Sequence, residues 1–192
     1  MHIGLYFGSF NPIHIGHLVL ANHIAEHTDL EEVWIVVSPQ NPFKKQSSLL
    51  EDYHRFALVE LAIESFPKLK ASQVEFKLPK PSYTIDTLVV LTEKYPQHTF
   101  SIIIGEDNLS HFHKWKNFEA ILEHHQVFVY PRPGSKAHRF GEHPNVHLVA
   151  DAPLMQISST FIRQCIHQNK NANAMLPQAI WQYMDEMNFY RK

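Results

Sequence analysis

The chain has 192 residues, enough for one well-buried domain and short for two. A hydrophobic fraction of 44% excludes general disorder, and 17 Lys+Arg against 19 Asp+Glu exclude a broad basic field for nucleic acid or an anionic membrane. The single cysteine, Cys165, has no internal disulfide partner, which fits a reducing compartment, and no apolar run reaches the roughly 20 residues of a spanning helix.

In chain order, the opening MHIGLYFGSFNP lacks a cationic lead and a long apolar stretch, so no signal peptide is expected and the protein reads as cytoplasmic. His2–Phe7 reads as a buried first strand, ended by the turn-forming Gly8-Ser9-Phe10-Asn11-Pro12. A helix is expected from about Gly16 to His27, and Val33–Val37 is a second core strand. Pro39 and Pro42 mark a loop. Tyr53–Phe66 then carries Phe56, Val59, Leu61 and Ile63 at helical spacing. Gln73–Phe76 is expected as the third strand, Thr84–Tyr95 as a helix stopped by Pro96, and Thr99–Ile104 as the fourth strand. Phe118–His125 reads as a helix, Val127–Tyr130 and Val146–Ala150 as strands five and six, and Ser159–Gln168 and Pro177–Phe189 as closing helices.

This alternation predicts an α/β fold, with a doubly wound, mainly parallel sheet of five to six strands and helices on both faces. It is expected as a single domain, 1–192, whose 157–192 part is helical. Ligands of such sheets bind beyond the carboxyl ends of the strands. That rule gathers Gly8–His17, Ser38–Lys45, Gly105–Trp115 and Tyr130–Lys136 on one rim.

The most informative stretch is Gly8-Ser9-Phe10-Asn11-Pro12-Ile13-His14-Ile15-Gly16-His17. His14 and His17 stand three apart at a helix start, so both imidazoles share a face and the positive end of the helix dipole. On the residues alone three readings stand: surface histidines in a chain that carries 15, a zinc pair without a nearby Cys or Glu, or a polyphosphate receptor. No metal ligand is assigned, and the Gly-Lys-Ser/Thr ending of a P-loop is absent. Near the other end, Ile157-Ser158-Ser159-Thr160-Phe161-Ile162-Arg163 offers Ser158 or Ser159 as helix cap and Arg163 one turn on. Hydroxyls, amides and a guanidinium there suit a phosphate chain, although a capped helix with a surface Arg is commonplace.

The first string resembles the G-x-F-x-P-x-H-x-G-H signature of the nucleotidyltransferase superfamily at all six defined positions. The second resembles its I-S-S-T-x-x-R signature. The chain further resembles bacterial nicotinate-nucleotide adenylyltransferases over nearly its whole length. Ser82-Tyr83-Thr84-Ile85-Asp86-Thr87-Leu88 is similar to that family's S-Y-T-x-D-T-L segment, and Ile103-Ile104-Gly105-Glu106-Asp107 to its I-x-G-x-D element. Trp115 matches a pyridine-stacking tryptophan, and Arg132-Pro133-Gly134 a further family element. Where relatives show Pro-Pro-His-Lys/Arg this chain reads Pro39-Gln40-Asn41-Pro42-Phe43-Lys44-Lys45, which leaves open which lysine is cationic partner to the phosphates.

The resemblance implies a Rossmann-like fold and transfer of the adenylyl group of ATP to nicotinate mononucleotide, with pyrophosphate released and Mg²⁺ carried by ATP. It implies His14, His17, Lys44 and Arg163 as catalytic. It puts Gly8, Ser9, Phe10, Gly105, Asp107, Ile157, Ser158 and Ser159 with them around ATP. Around the mononucleotide it puts Lys44, Tyr83, Thr84, Asp86, Trp115, Lys116 and Arg132. The bland readings are that Thr84 caps its helix and Trp115 is a rim aromatic. Rival functions are a phosphopantetheine adenylyltransferase, a cytidylyltransferase, a nucleotide sensor without turnover, and a metal binder using His111-Phe112-His113 and His124-His125. No nucleic-acid or membrane partner is expected. The apolar stripe Ile180, Trp181, Met184 and Met187 leaves a homo-oligomer open.

Overall fold

The structure, a computed structural model, describes residues 1–39, 49–134 and 140–191. Among these residues, six strands form one sheet: β1 (His2–Gly8), β2 (Glu32–Val37), β3 (Leu69–Ser72), β4 (Thr99–Gly105), β5 (Val127–Tyr130) and β6 (Val146–Leu148). Their spatial order is β3-β2-β1-β4-β5-β6, and every neighbouring pair is parallel. Among the described residues, seven α-helices accompany them: α1 (Ile15–His27), α2 (Asp52–Ile63), α3 (Thr84–Lys94), α4 (Glu106–Leu109), α5 (Phe118–His124), α6 (Ser159–His167) and α7 (Gln178–Glu186).

The central strands are apolar on both sides because both faces of a parallel sheet are covered. In β4, Phe100, Ile102 and Ile104 face one core with Leu88 and Leu91 of α3 and Ile121 of α5. Ile103 faces the other core, with Ile24 of α1, Leu58 of α2, Ile162 of α6 and Ile180 of α7. Phe128 and Tyr130 of β5 join this second core, while Val127 and Val129 join the first. Of the α7 stripe, Ile180 and Met184 are buried and Trp181 partly so, while Met187 is 44% exposed.

Two expectations need correction. The third strand is Leu69–Ser72, and Val74–Lys77 is a 3-10 turn. The edge strand has only β2 beside it and needs no long apolar run: Leu69 alone in it is fully buried. The apolar alternation of Val74 and Phe76 belongs to the turn, whose Glu75 is buried instead. The stretch after β4, expected as rim loop, holds the short α4 and a 3-10 turn at Phe112–Lys114. Helix ends fall within a few residues of expectation, as fraying ends do. Among the described residues, no helix is long and apolar enough to cross a membrane.

Candidate active site

The strand order reverses between β1 and β4, and a cleft of about 550 Å³ opens there. This is the topological switch point at which open α/β sheets take their ligands. Gly8 at the end of β1 and Gly105 at the end of β4 both line it. At Gly105 an added Cβ would collide with the Asp107 carboxylate and crowd the Arg132 side chain, so both would have to give way.

One wall of the cleft is built around His14, which is only 4% exposed and is the N-cap residue of α1. Its ring stacks on that of His17 at 3.6 Å between centroids. The His14 backbone N–H donates to His17 Nδ1 (3.2 Å), which leaves Nε2 as the proton-bearing nitrogen of a neutral His17. A Cβ on Gly16 would stand 3.1 Å from the His14 ring, so the glycine makes room for the stack. Burial first, then the positive charge of Arg132, lowers the His14 pKa to about 4, and the ring is neutral at pH 7. His14 Nδ1 is buried and has no hydrogen-bond partner among the described residues. A buried polar atom in that state suits a ligand.

The second sequence string closes on the first. Ser158 Oγ accepts the Phe161 N–H and caps α6, which decides between the two serines. Ser159 Oγ donates to the Pro12 carbonyl (2.9 Å), and Arg163 Nη1 donates to the Asn11 carbonyl (2.7 Å). Ser159 thus spends its proton on Pro12, whereas Ser158 accepts and keeps its O–H proton to offer, so the donors at this corner are the α6 N-terminus, the Ser158 hydroxyl and the Arg163 guanidinium.

The other wall is more open. Trp115 packs on Phe112 at 5.0 Å, and Tyr83 is 37% exposed. Lys116 Nζ donates to both oxygens of Asp86 (2.9 Å each) and lies over the Tyr83 ring at 4.9 Å. Asp86 itself is not among the residues that line the cleft: it stands behind Lys116. Thr84 is the first residue of α3 and Tyr83 its N-cap, so Thr84 does not cap the helix. Beneath them the buried Glu75 accepts from Ser82 Oγ (3.0 Å) and Thr87 Oγ1 (2.8 Å), which fixes the entry to α3.

Residues 5–165, well over half the chain, match the cytidylyltransferase-like family model. Among curated proteins, the chain is 55% identical to the probable nicotinate-nucleotide adenylyltransferase of Flavobacterium psychrophilum, over 100% of both chains. It is 48% identical to the protein of that name in Bacteroides fragilis, over 93% of this chain and 88% of the relative. The chain belongs to the nicotinate-nucleotide adenylyltransferase family. A solved structure of Plasmodium falciparum nicotinic acid mononucleotide adenylyltransferase complexed with NaAD overlays with a TM-score of 0.83 at 22% identity. It covers 98% of this chain and 97% of its own, a likeness of fold.

In this adenylyltransferase the cleft brings together Gly8, Ser9, Phe10, His14, His17, Gly105, Asp107, Ile157, Ser158, Ser159 and Arg163. On the same cleft stand Tyr83, Thr84, Trp115, Lys116 and Arg132. Arg132 keeps company with Asp107 (Nε to Oδ1, 3.6 Å) and with the Tyr130 hydroxyl (3.3 Å), on the side assigned to ATP. Lys44 and Lys45 lie outside the described residues. The sequence reading missed Arg55, which is fully buried and holds the loops behind the histidines. Its guanidinium donates to the carbonyls of Ser9 (2.6 Å), Ser38 (2.8 Å) and Leu50 (3.0 Å) and pairs with Asp52 (2.6 Å). It also missed Tyr190, whose hydroxyl donates to Asn11 Oδ1 (2.5 Å). An arginine on the buried stripe of α2 was the one available signal.

Proposed function

We propose that this chain joins nicotinate mononucleotide to the AMP part of ATP, releasing pyrophosphate, in the cytoplasm, and that 1–192 acts as one domain. The observation that carries the reading is the Arg163–Asn11 contact, which brings the second signature onto the first across 152 residues. The packing of α6 and α7 on the same core as α1 supports one domain.

The attacking group is the 5′-phosphate of the mononucleotide. Its oxygen forms a bond to the α-phosphorus of ATP while the bond to the β-phosphate bridging oxygen breaks, and pyrophosphate leaves with that electron pair. A phosphate monoester has a second pKa of about 6, so it is largely ionised at neutral pH and needs no general base. The carboxylates of the cleft agree: among the described residues that line it, Glu75 is bonded to Ser82 and Thr87, and Asp107 faces Arg132. Catalysis then rests on positioning and on donors set in advance.

His17, with its proton on Nε2, and neutral His14 donate to the ATP phosphates. Arg163, the Ser158 hydroxyl and the α6 N-terminus, which Ser159 opens, hold the β,γ end, and Lys44 adds a cation. Gly105 and Asp107 take the adenosine side, next to Arg132. Trp115 stacks on the pyridine ring, and backbone amides near Thr84 and Lys116 receive the carboxylate. That use of amides fits the pairing of the Lys116 ammonium with Asp86. The donor set of imidazoles, guanidinium and amides suits the anion rather than a bare cation, so Mg²⁺ arrives on ATP and is held by its phosphate oxygens. When bound it neutralises charge on the leaving pyrophosphate.

The test is pyrophosphate release from ATP and Mg²⁺ with nicotinate mononucleotide, nicotinamide mononucleotide or phosphopantetheine. Release with the first and much less with the others is expected. A preference for the amide overturns the substrate, and silence with all three while ATP binds leaves a nucleotide sensor.

A further inference from the structure

About two turns along α1 from the cleft-lining Gly16, His23 and His27 stand one helical turn apart. Their rings stack at 4.2 Å between centroids and 10° between planes. The carboxylate of Asp151 approaches them from the turn after β6, with Oδ2 at 3.5 Å from His23 Nε2. One ligand atom from each of the three lies within 4.8 Å of the others, the one such grouping of three or more His, Cys, Asp or Glu residues among the described residues.

The geometry points to a site for a divalent transition-metal ion of the zinc class. A pair of histidines at i and i+4 presents two imidazole nitrogens from one helix face, a spacing that recurs in zinc sites. Two ligand atoms about 2.0–2.1 Å from a tetrahedral zinc lie about 3.3 Å apart, close to the 3.5 Å seen between His23 Nε2 and Asp151 Oδ2. That separation is long for a hydrogen bond. His23 Nε2 is indeed buried without a hydrogen-bond partner among the described residues, although a carboxylate faces it. A buried nitrogen in that position asks for a partner, and an ion between it and Asp151 supplies one.

The donor set selects the ion. Two imidazoles and one carboxylate suit zinc, cobalt, nickel or copper, whereas magnesium and calcium prefer an all-oxygen shell. Three protein ligands leave a fourth place. His23 and His27 line a cavity of about 770 Å³ between α1, α2 and the start of α7, which provides entry and room for a water or an outside donor. Asp151 is held in its turn by the Ala152 N–H donating to the Val149 carbonyl (3.1 Å). From that turn the chain runs on to Ser158, the cap of α6. The ion thus clips α1 to the segment that leads into the second phosphate-binding signature.

The test uses untagged, chelator-treated protein titrated with Co²⁺, read by visible absorption, and with Zn²⁺, read by calorimetry. One equivalent is expected to bind, unaffected by millimolar Mg²⁺. H27A and D151N are both surface substitutions and should weaken binding by at least about tenfold, while H124A should leave it unchanged. Zn²⁺ should raise the thermal midpoint of the wild type and of H124A but not that of H27A or D151N, with all four melting alike in chelator. Equal binding by wild type and the two site variants would place the ion elsewhere among the histidines and overturn the proposal. No binding by the wild type would reduce the cluster to an ion pair and overturn it as well.

Discussion

The two walls of the cleft are built differently. On the wall proposed to meet the phosphates, His14 is 4% exposed, Arg55 is fully buried, and the loop before His14 is tied by Ser159, Arg163 and Tyr190. On the wall proposed for the pyridine ring, the side chains of Lys116 and Asp86 are 44% and 42% exposed and pair across a solvated surface. A wall that meets charge developing at one moment gains from donors already fixed in a low dielectric. A wall that recognises a ring and a carboxylate gains most from shape, and its solvated ion pairs are worth little by themselves. Substitutions should therefore cost far more on the first wall than on the second.

The largest effect is expected from Arg55→Ala. It strips four backbone carbonyls, those of Ser9, Ser38, Pro39 and Leu50, and leaves Asp52 without its closest cation. Removing one member of a buried charged network costs about 3–5 kcal/mol. Urea unfolding should show that loss, and any protein that still folds should turn over slowly because the loop behind His14 is slack. A shift below about 1 kcal/mol would mean that water replaces the guanidinium, and that the phosphate wall is less rigid than its contacts suggest.

His17→Ala comes next. It deletes the partner of the His14 backbone N–H and the donor proposed above for the ATP phosphates. Loss of one such donor costs about 10²–10³ in kcat. Steady-state turnover with saturating ATP and nicotinate mononucleotide measures it. Near-wild-type turnover would remove His17 from the chemistry.

The same contrast explains what the sequence allowed one to read. β1, β4 and β5 announce themselves because each must be apolar on both faces, whereas the wall around His14, His17 and Arg163 was legible through its resemblance to two family signatures, the residues alone leaving three readings open. β3 escaped because an edge strand with one buried leucine has no such run. Arg55 escaped because, Asp52 apart, its partners are backbone carbonyls 5 to 46 residues away, and an Asp–Arg pair three apart on a helix reads as a surface pair. Glu75 escaped because a carboxylate reads as surface until its two hydroxyl donors, Ser82 and Thr87, are brought to it by the fold. His23 and His27 carried a helical spacing, but Asp151 joins them only through the β6 turn.

A third effect comes from pH. The His14 imidazole titrates at about 4 in the folded chain, against an ordinary value of 6.5, because burial and then Arg132 oppose its charge. Between those values the unfolded chain takes up the proton and the folded one does not. The fold is free of this cost above pH 6.5, loses about 2 kcal/mol by pH 5, and loses little more below pH 4. His14→Gln removes this component while leaving the other histidines in place. Urea midpoints at pH 7 and pH 5 should fall further for the wild type than for the variant. Parallel falls would show that His14 reaches solvent, and would weaken the contrast between the walls.

The smallest effect is expected from Asp86→Asn. The substitution removes the charge that holds Lys116, but the pair is nearly half exposed on both sides, and such pairs are worth about 0–1 kcal/mol. The Lys116 ammonium keeps its place over the Tyr83 ring, a contact that does not need Asp86. The KM for nicotinate mononucleotide should rise by less than about fivefold, the equivalent of 1 kcal/mol, with kcat unchanged. The direction also carries information. A Lys116 released from Asp86 presents its full charge near the ring carboxylate, so part of the loss is offset for nicotinate mononucleotide and not for the amide. A fall in kcat of tenfold or more at unchanged KM would place Asp86 in the chemistry and make the open wall as sensitive to substitution as the buried one.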